Sequence, residues 1–336
     1  MSTIRDVAKL AQVSTATVSR VINSDPTYKM TENTKSRVWE AVRALNYKTG
    51  SRNSQTPAST IKTNIKIGCV ISVTKDKYND PYFMAILSGI EARLQSKGFQ
   101  LAFVRSSAEL EDASILYSVF NEPVAGLILM ESLNEKTYEY IRKQVPSIVG
   151  IDTRRPDIDN VGYDHYEVAT EAVQYLIEKG HARIGFIGGN GMNNSIKDSL
   201  RYKGYYATMH AAGLPVRDEW VINCRWDESL CMEEVARLCK LKDRPTALFV
   251  ASDLMAIAAL SSLYANGLRA PADMAVIGLS NIEMARYSNP PLTTLEIPMK
   301  ELGMVAVDLL LSRMAGDDLL PKKLILPTTL VVRDST

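Results

Sequence analysis

Apolar residues recur at Ile4, Val7, Ala8 and Ala11, the spacing that lays one stripe along a helix. Thr3, three residues ahead of Asp6, is placed to cap that helix. After a short Gln12-Val13 turn, Ser14 can cap a second helix whose inward face is Val18, Val21 and Ile22. Thr15, Ala16, Thr17, Ser19 and Arg20 are then left on its outward face. A looser stretch over 23–30, holding Asp25-Pro26, leads to Thr31 and a third helix with Val38, Ala41, Val42 and Leu45 inward. The pattern predicts a small all-α unit of three short helices, the first two separated by a turn.

That is the plan of a helix-turn-helix, whose second helix lies in the major groove with its first turns against base edges. The residues suit the task. Arg20 can donate two hydrogen bonds to guanine O6 and N7, Thr15 and Ala16 can touch a thymine methyl, and Ser14, Thr17 and Ser19 can hold phosphates. The competing reading is a generic three-helix bundle with a hydroxyl-rich surface helix.

Beyond residue 66 the period changes. Short apolar runs over 65–72, 100–105, 124–130, 147–152, 183–188, 247–251 and 274–279 read as strands, and 82–97, 166–179, 200–212 and 254–266 read as helices. Gly98, Gly180, Gly213 and Gly267 follow those helices where a left-handed residue is wanted. Buried strands alternating with helices mean doubly wound parallel sheets covered on both faces, and the stretch is too long for one such sheet. Two α/β lobes are expected, meeting near Tyr163. In such sheets ligands sit beyond the carboxyl ends of the strands, so two lobes facing each other can close on a small polar molecule.

The chain has 336 residues with 39 Lys+Arg against 38 Asp+Glu. That near-neutrality hides an asymmetry: residues 1–60 hold nine basic and four acidic residues, net +5, and the rest hold 30 and 34, net −4. A cationic head on a mildly anionic body suits a phosphate-binding module tethered to something else. No apolar run approaches the roughly 18 residues that cross a bilayer, and no signal peptide opens the chain, so a cytoplasmic protein without a membrane partner is expected. Cys69, Cys224, Cys231 and Cys239 form no C-x-x-C pair and are expected to be free thiols.

Residues 3–8 (TIRDVA), 13–23 (VSTATVSRVIN) and 44–47 (ALNY) together resemble the headpiece of the lactose/galactose repressor family of transcriptional regulators. The resemblance implies that Thr15, Ala16 and Arg20 read bases and that Ser14, Thr17, Ser19 and Asn23 position the backbone; Thr3, Thr31, Tyr47 and Arg52 are further expected DNA contacts. Relatives carry a short hinge helix after the headpiece, from which a leucine wedges into the minor groove. Here Thr49, Gly50, Asn53 and Thr56 replace that pattern, and Lys48 and Arg52 are expected to make phosphate or minor-groove contacts while the DNA is bent less than by relatives.

The resemblance continues through Asn79 to Phe83, Gly185 to Gly189, Phe249 to Asp253 and Pro290 to Thr294, and implies a body like the periplasmic sugar-binding proteins. The expected organisation is headpiece 1–48, linker 49–64, first lobe 65–162 with 296–323, and second lobe 163–295 with 324–336. The implied ligand residues are Pro81, Tyr82 and Phe83 on the first-lobe wall, Asp152, Arg201 and Trp226, and Ser252, Asp253, Ser280 and Asn281 at strand ends. Asp253 could equally cap the helix it begins. Ser280 stands where many relatives place an aspartate. The Asp80-Pro81-Tyr82 and Ala285-Arg286-Tyr287 stretches resemble repressors of galactose and β-galactoside use, so a galactose-like effector is expected, with inducer or corepressor left open.

An enzyme is disfavoured. Gly188-Gly189-Asn190-Gly191 lacks the third glycine of a dinucleotide fingerprint, no phosphate-binding P-loop or G-x-S-x-G elbow exists, and His165, His181 and His210 lack metal-ligand spacing. No cofactor or metal is expected. The partners expected are palindromic operator DNA, a small sugar, and a second copy of the chain, because one headpiece buries too little for tight specific binding. Without leucine heptads after Arg333, a dimer is expected rather than a coiled-coil tetramer. The remaining alternative is a regulator of the same fold that answers to a protein partner or a non-sugar ligand.

Overall fold

The computed structural model describes residues 2–22, 30–45, 47, 65–71, 80–189 and 195–336. The expected DNA contacts Asn23, Lys48 and Arg52 lie outside the described residues. The chain divides into two compact units, Met1–Val161 with Lys300–Lys323 and Gly162–Met299 with Leu324–Thr336.

The first unit begins with three helices: α1 (Ile4–Ala11), α2 (Thr15–Ile22) and α3 (Glu32–Ala44). Val7, Ala8, Ala11, Val18, Val21, Val38, Trp39, Ala41 and Val42 close one small core between them. Trp39 falls one residue off the stripe anticipated for α3, and its ring meets Tyr117 at a centroid distance of 5.0 Å. Tyr117 belongs to a helix of the α/β part of the same unit.

That part follows the strand-helix alternation. Its elements are β1 (Ile67–Ile71), α4 (Pro81–Ser96), β2 (Leu101–Ser106), α5 (Ala113–Phe120), β3 (Gly126–Met130), α6 (Glu135–Gln144), β4 (Ser147–Ile151) and β5 (Asp159–Gly162). The second unit holds α7 (His165–Glu178), β6 (Ile184–Gly188), α8 (Leu200–Ala211), β7 (Val221–Asn223), α9 (Glu228–Cys239), β8 (Ala247–Val250), α10 (Asp253–Ala265), β9 (Ala275–Ser280) and β10 (Thr293–Glu296). The chain then supplies α11 (Met299–Met314), β11 (Lys323–Ile325) and β12 (Thr329–Val331).

Two six-stranded sheets result, in the orders β11-β5-β4-β3-β1-β2 and β12-β10-β9-β8-β6-β7. β1, β3, β6, β8 and β9 are buried along their whole length, as parallel strands covered by helices on both faces must be. β12 departs from the parallel expectation, pairing antiparallel with β10 at the edge of the second sheet. There the ladder no longer needs a crossover helix. Gly98, Gly180, Gly213 and Gly267 take φ of 78°, 91°, 68° and 78°, the left-handed exit expected after each helix.

No helix among the described residues is long and apolar enough to cross a membrane.

Candidate nucleic-acid interface and effector site

Burial fixes how α2 faces outward. Val18 and Val21 are buried, which leaves Thr15, Ala16 and Arg20 exposed and Thr17 and Ser19 half-buried. The Ser14 hydroxyl starts the helix by accepting the Thr17 N–H at 3.0 Å, and it pairs with the Thr17 hydroxyl at 2.9 Å. Gln12, with φ 52°, turns the chain out of α1. That turn is clamped by Arg37 of α3, which donates to the Ala11 carbonyl at 2.5 and 3.1 Å and to the Gln12 carbonyl at 3.0 Å. One guanidinium thus satisfies carbonyls that the end of α1 leaves unpaired.

The other expected contacts serve helix ends or packing. Thr3 and Asp6 form a reciprocal capping box at α1. The Thr3 hydroxyl and backbone hold the Asp6 carboxyl below the usual range. Thr31 caps α3, accepting the Thr34 N–H at 3.3 Å. Both threonines are exposed, so each hydroxyl stands at a helix N-terminus, where amides and dipole favour a phosphate. Tyr47 is half-buried against the headpiece core, and burial raises its phenol.

In the first unit's α/β part, backbone strain gathers at strand ends. Glu131 follows β3 with φ 62°, and Asp152 follows β4 with φ 55°. Non-glycine residues in this region cost energy and persist where surrounding structure holds them. The Asp152 N–H donates to the Val161 carbonyl at 3.0 Å, and Ser132 donates to the Thr153 carbonyl at 2.6 Å. Asp80 caps α4 by accepting the Tyr82 N–H at 2.9 Å, with Pro81 at the first helical position. Tyr82 is half-buried and packs edge-to-face on the buried ring of Phe83, centroids 5.1 Å apart.

The second unit repeats the pattern more densely. Arg225 and Trp226 follow β7 with φ 51° and 61°, and Ser280 and Asn281 close β9 with φ 129° and 56°. The Trp226 ring lies so close over Gly189 that a Cβ there would meet its Cε2 at 2.1 Å. Arg201, on the first turn of α8, sets its guanidinium carbon 5.6 Å from the Trp226 ring and 5.7 Å from the Tyr163 ring. Arg201 also donates to the Tyr163 hydroxyl. Tyr163 in turn stacks on His165 with centroids 4.2 Å apart. A cation thus lies between two aromatic rings, each with a further partner behind it.

Asn281 is held at both ends of its amide: Arg333 donates to Oδ1 at 2.6 Å, and Nδ2 donates to Glu296 at 2.7 Å. Asp253 is 1% exposed, and both its oxygens are engaged internally. Thr294 donates to one at 2.6 Å and the Ile282 N–H to the other at 2.9 Å. Burial pushes its carboxyl up to about 6 against the pull of those donors. Its carboxylate therefore pins the loop after β9 rather than the start of α10. Ser252, half-buried in extended conformation, precedes α10 without a side-chain cap. Tyr163, Arg333 and Glu296 carry no pattern in the sequence that marks them for this rim; only the fold brings them there.

The match to "Bacterial regulatory proteins, lacI family" spans residues 3–50, and the match to "Periplasmic binding protein-like domain" spans 173–336. The chain is 35% identical over 320 residues to the HTH-type transcriptional repressor PurR of Aliivibrio salmonicida, covering 93% of this chain and 92% of that one. It is 34% identical over 322 residues to the repressor of the same name from Actinobacillus pleuropneumoniae, covering 94% and 92%. Among solved structures, a complex of the transcriptional regulator CelR with cellobiose aligns over 100% of both chains, with a TM-score of 0.74 and 27% identity. With the helix-turn-helix and the two α/β units in place, these similarities show that the chain belongs to the LacI family, as a DNA-binding transcriptional regulator with a ligand-binding body.

Proposed function

We propose that the protein is a repressor that docks Thr15, Ala16 and Arg20 of α2 into the major groove of a palindromic operator as a homodimer, and that a small polar effector changes its hold. Ser14, Thr17, Thr3 and Thr31 take phosphates in this reading, because they stand at or beside helix N-termini, and Ser19 joins them from further along α2. A two-fold pair matches a palindrome and doubles an interface that one small headpiece leaves short.

The observation that carries the effector half is the face of Trp226, seated on Gly189 and flanked by Arg201. A sugar presents a C–H face to an indole and paired hydroxyls to a guanidinium; Asn281 and Ser280 supply further polar groups at the end of β9. Asp152 after β4, and Pro81 and Tyr82 at the start of α4, are proposed contacts from the first unit. The buried Asp253 and Phe83 support their neighbours, Asp253 through the Ile282 backbone and Phe83 behind the Tyr82 ring. Galactose or a galactoside is one candidate. Cellobiose belongs beside it, because a relative of this fold is solved with that disaccharide. A second reading is a flat heteroaromatic base, which the aromatic-cation-aromatic arrangement of Trp226, Arg201 and Tyr163 would stack equally well.

The test is a titration of the protein's complex with its own selected DNA using galactose, lactose, allolactose, cellobiose, ribose and purine bases. One class is expected to change DNA affinity. Trp226→Ala is expected to weaken that ligand by about 2 kcal/mol, about 30-fold, while leaving effector-free DNA binding intact. A response that survives Trp226→Ala unchanged places the effector elsewhere.

A further inference from the structure

We propose that the headpiece is mounted on its own first unit through a contact between α3 and α5, with Trp39 against Tyr117 at its centre, so that α2 moves with that unit as one body. This rests on the docking geometry alone and is independent of the effector reading.

The headpiece core does not stop at the headpiece. Tyr117 is part of the same buried cluster as Val38, Trp39 and Val42, and Ala113, one turn earlier on α5, packs against it. Trp39 and Tyr117 are 7% and 5% exposed. A headpiece swinging free would present a large aromatic face on each side to water. Charged and polar groups lie beside the same contact. Arg43, at the end of α3, acts on Asp112, whose carboxyl is held below the usual range chiefly by the Ser114 hydroxyl and in smaller part by Arg43. It acts also on Tyr140, whose phenol burial pushes up to about 12. Tyr47 reaches the same place from the chain just beyond α3.

The mount is stiff on the side of the α/β part. Leu116 and Phe120, one and three residues from Tyr117 on α5, are embedded in that part's core with Leu127, Leu129 and Ile141. The mount also leaves the reading surface open, since Thr15, Ala16 and Arg20 remain exposed with α3 docked. The contact therefore orients α2 without masking it. A shift of the first unit would be carried to α2 through packed side chains rather than through the stretch over 49–64, whose sequence lacks the hinge pattern of relatives.

The test uses the full chain labelled with 5-fluorotryptophan and read by fluorine NMR without DNA. Its three tryptophans, Trp39, Trp220 and Trp226, give three signals, and Trp39→Phe assigns the first. Tyr117→Ser removes the contact from the α/β side, and Arg43→Glu sets like charge against Asp112 from the headpiece side. Each is expected to shift and narrow the Trp39 signal while leaving those of Trp220 and Trp226 in place. A Trp39 signal in Arg43→Glu that keeps the position and width of the parent overturns the proposal, whatever Tyr117→Ser does to the stability of its helix.

Discussion

Arg313, near the end of α11, lays a two-pronged fork on Asp159 of β5, with Nε and Nη2 each 2.7 Å from a carboxylate oxygen across 154 residues of chain. Lys322 adds its N–H to the same carboxylate at 2.6 Å. Burial works to raise the Asp159 carboxyl, but the Arg313 fork and the Lys322 amide outweigh it and hold it below the usual range. One ion pair thus joins the returning C-terminal segment to the sheet of the first unit.

Removing Arg313 leaves the buried Asp159 charge with the Lys322 amide but no guanidinium, which costs more than the pair itself contributes. Arg313→Ala is expected to lower the unfolding free energy by about 3–5 kcal/mol in urea titration. Arg313→Lys recovers only part of this, because an ammonium cannot make the two-pronged contact. A loss below about 1 kcal/mol, the scale of an exposed pair, would contradict the account.

Arg37 gives a test of the headpiece itself. Its guanidinium serves the Ala11 and Gln12 carbonyls at the turn between α1 and α2. Arg37→Ala is expected to destabilise the headpiece by about 1.5–3 kcal/mol, the range for hydrogen bonds from a charged donor. Amide exchange in α1 and α2 should rise while the second unit is unaffected.

Asp253 predicts a pH dependence of definite sign. Its folded value is raised from 3.8 to about 6, so the folded state holds a proton that the unfolded state releases between those values. Stability from this group is fully present below about 4 and is lost as pH rises through about 6, amounting to about 3 kcal/mol. Urea titrations of the parent and Asp253→Asn from pH 4.5 to 7.5 should show the parent-minus-variant difference falling as pH rises. A difference that stays flat or climbs contradicts the assignment.

Arg20 carries a prediction about reading rather than folding. It is exposed on α2, so Arg20→Ala should leave the melting temperature within about 1 °C of the parent, as for a surface substitution. Affinity for the protein's selected DNA should drop by about 1–3 kcal/mol, roughly 5- to 150-fold, with relaxed preference at one base pair. Equal weakening on all sequences would make Arg20 a phosphate contact.

The parts of the fold legible in the sequence are those written in continuous local pattern. β1, β3, β6, β8 and β9 are apolar runs, and α2 shows its inward valines at helical spacing. β5, β7, β10, β11 and β12 are three or four residues each, with Asp159, Asn223 and Thr293 to Thr294 among them. Strands this short are recognisable only by what they pair with. Trp39 escaped the helical stripe because it packs on Tyr117 of α5 as well as joining the headpiece core. At the rim, Trp226 and Arg201 could be named from the resemblance, and Asn281 from its place after an apolar run. Their partners Gly189, Tyr163, Arg333 and Glu296 are brought beside them by tertiary structure, and the strained backbone at Asp152, Trp226 and Asn281 has no sequence signature.

The central claim is that exposed residues of α2 hold DNA and that a small molecule on the Trp226 rim changes that hold. The most direct measurement is fluorescence anisotropy of the full chain on its selected duplex, titrated with the candidate sugars and bases, for the parent and Trp226→Ala side by side. The expected result is that one compound shifts parent affinity by at least about tenfold, a coupling of about 1.4 kcal/mol, and that Trp226→Ala binds the same DNA without that shift. Affinity indifferent to every compound in the parent, or a shift identical in Trp226→Ala, would contradict it.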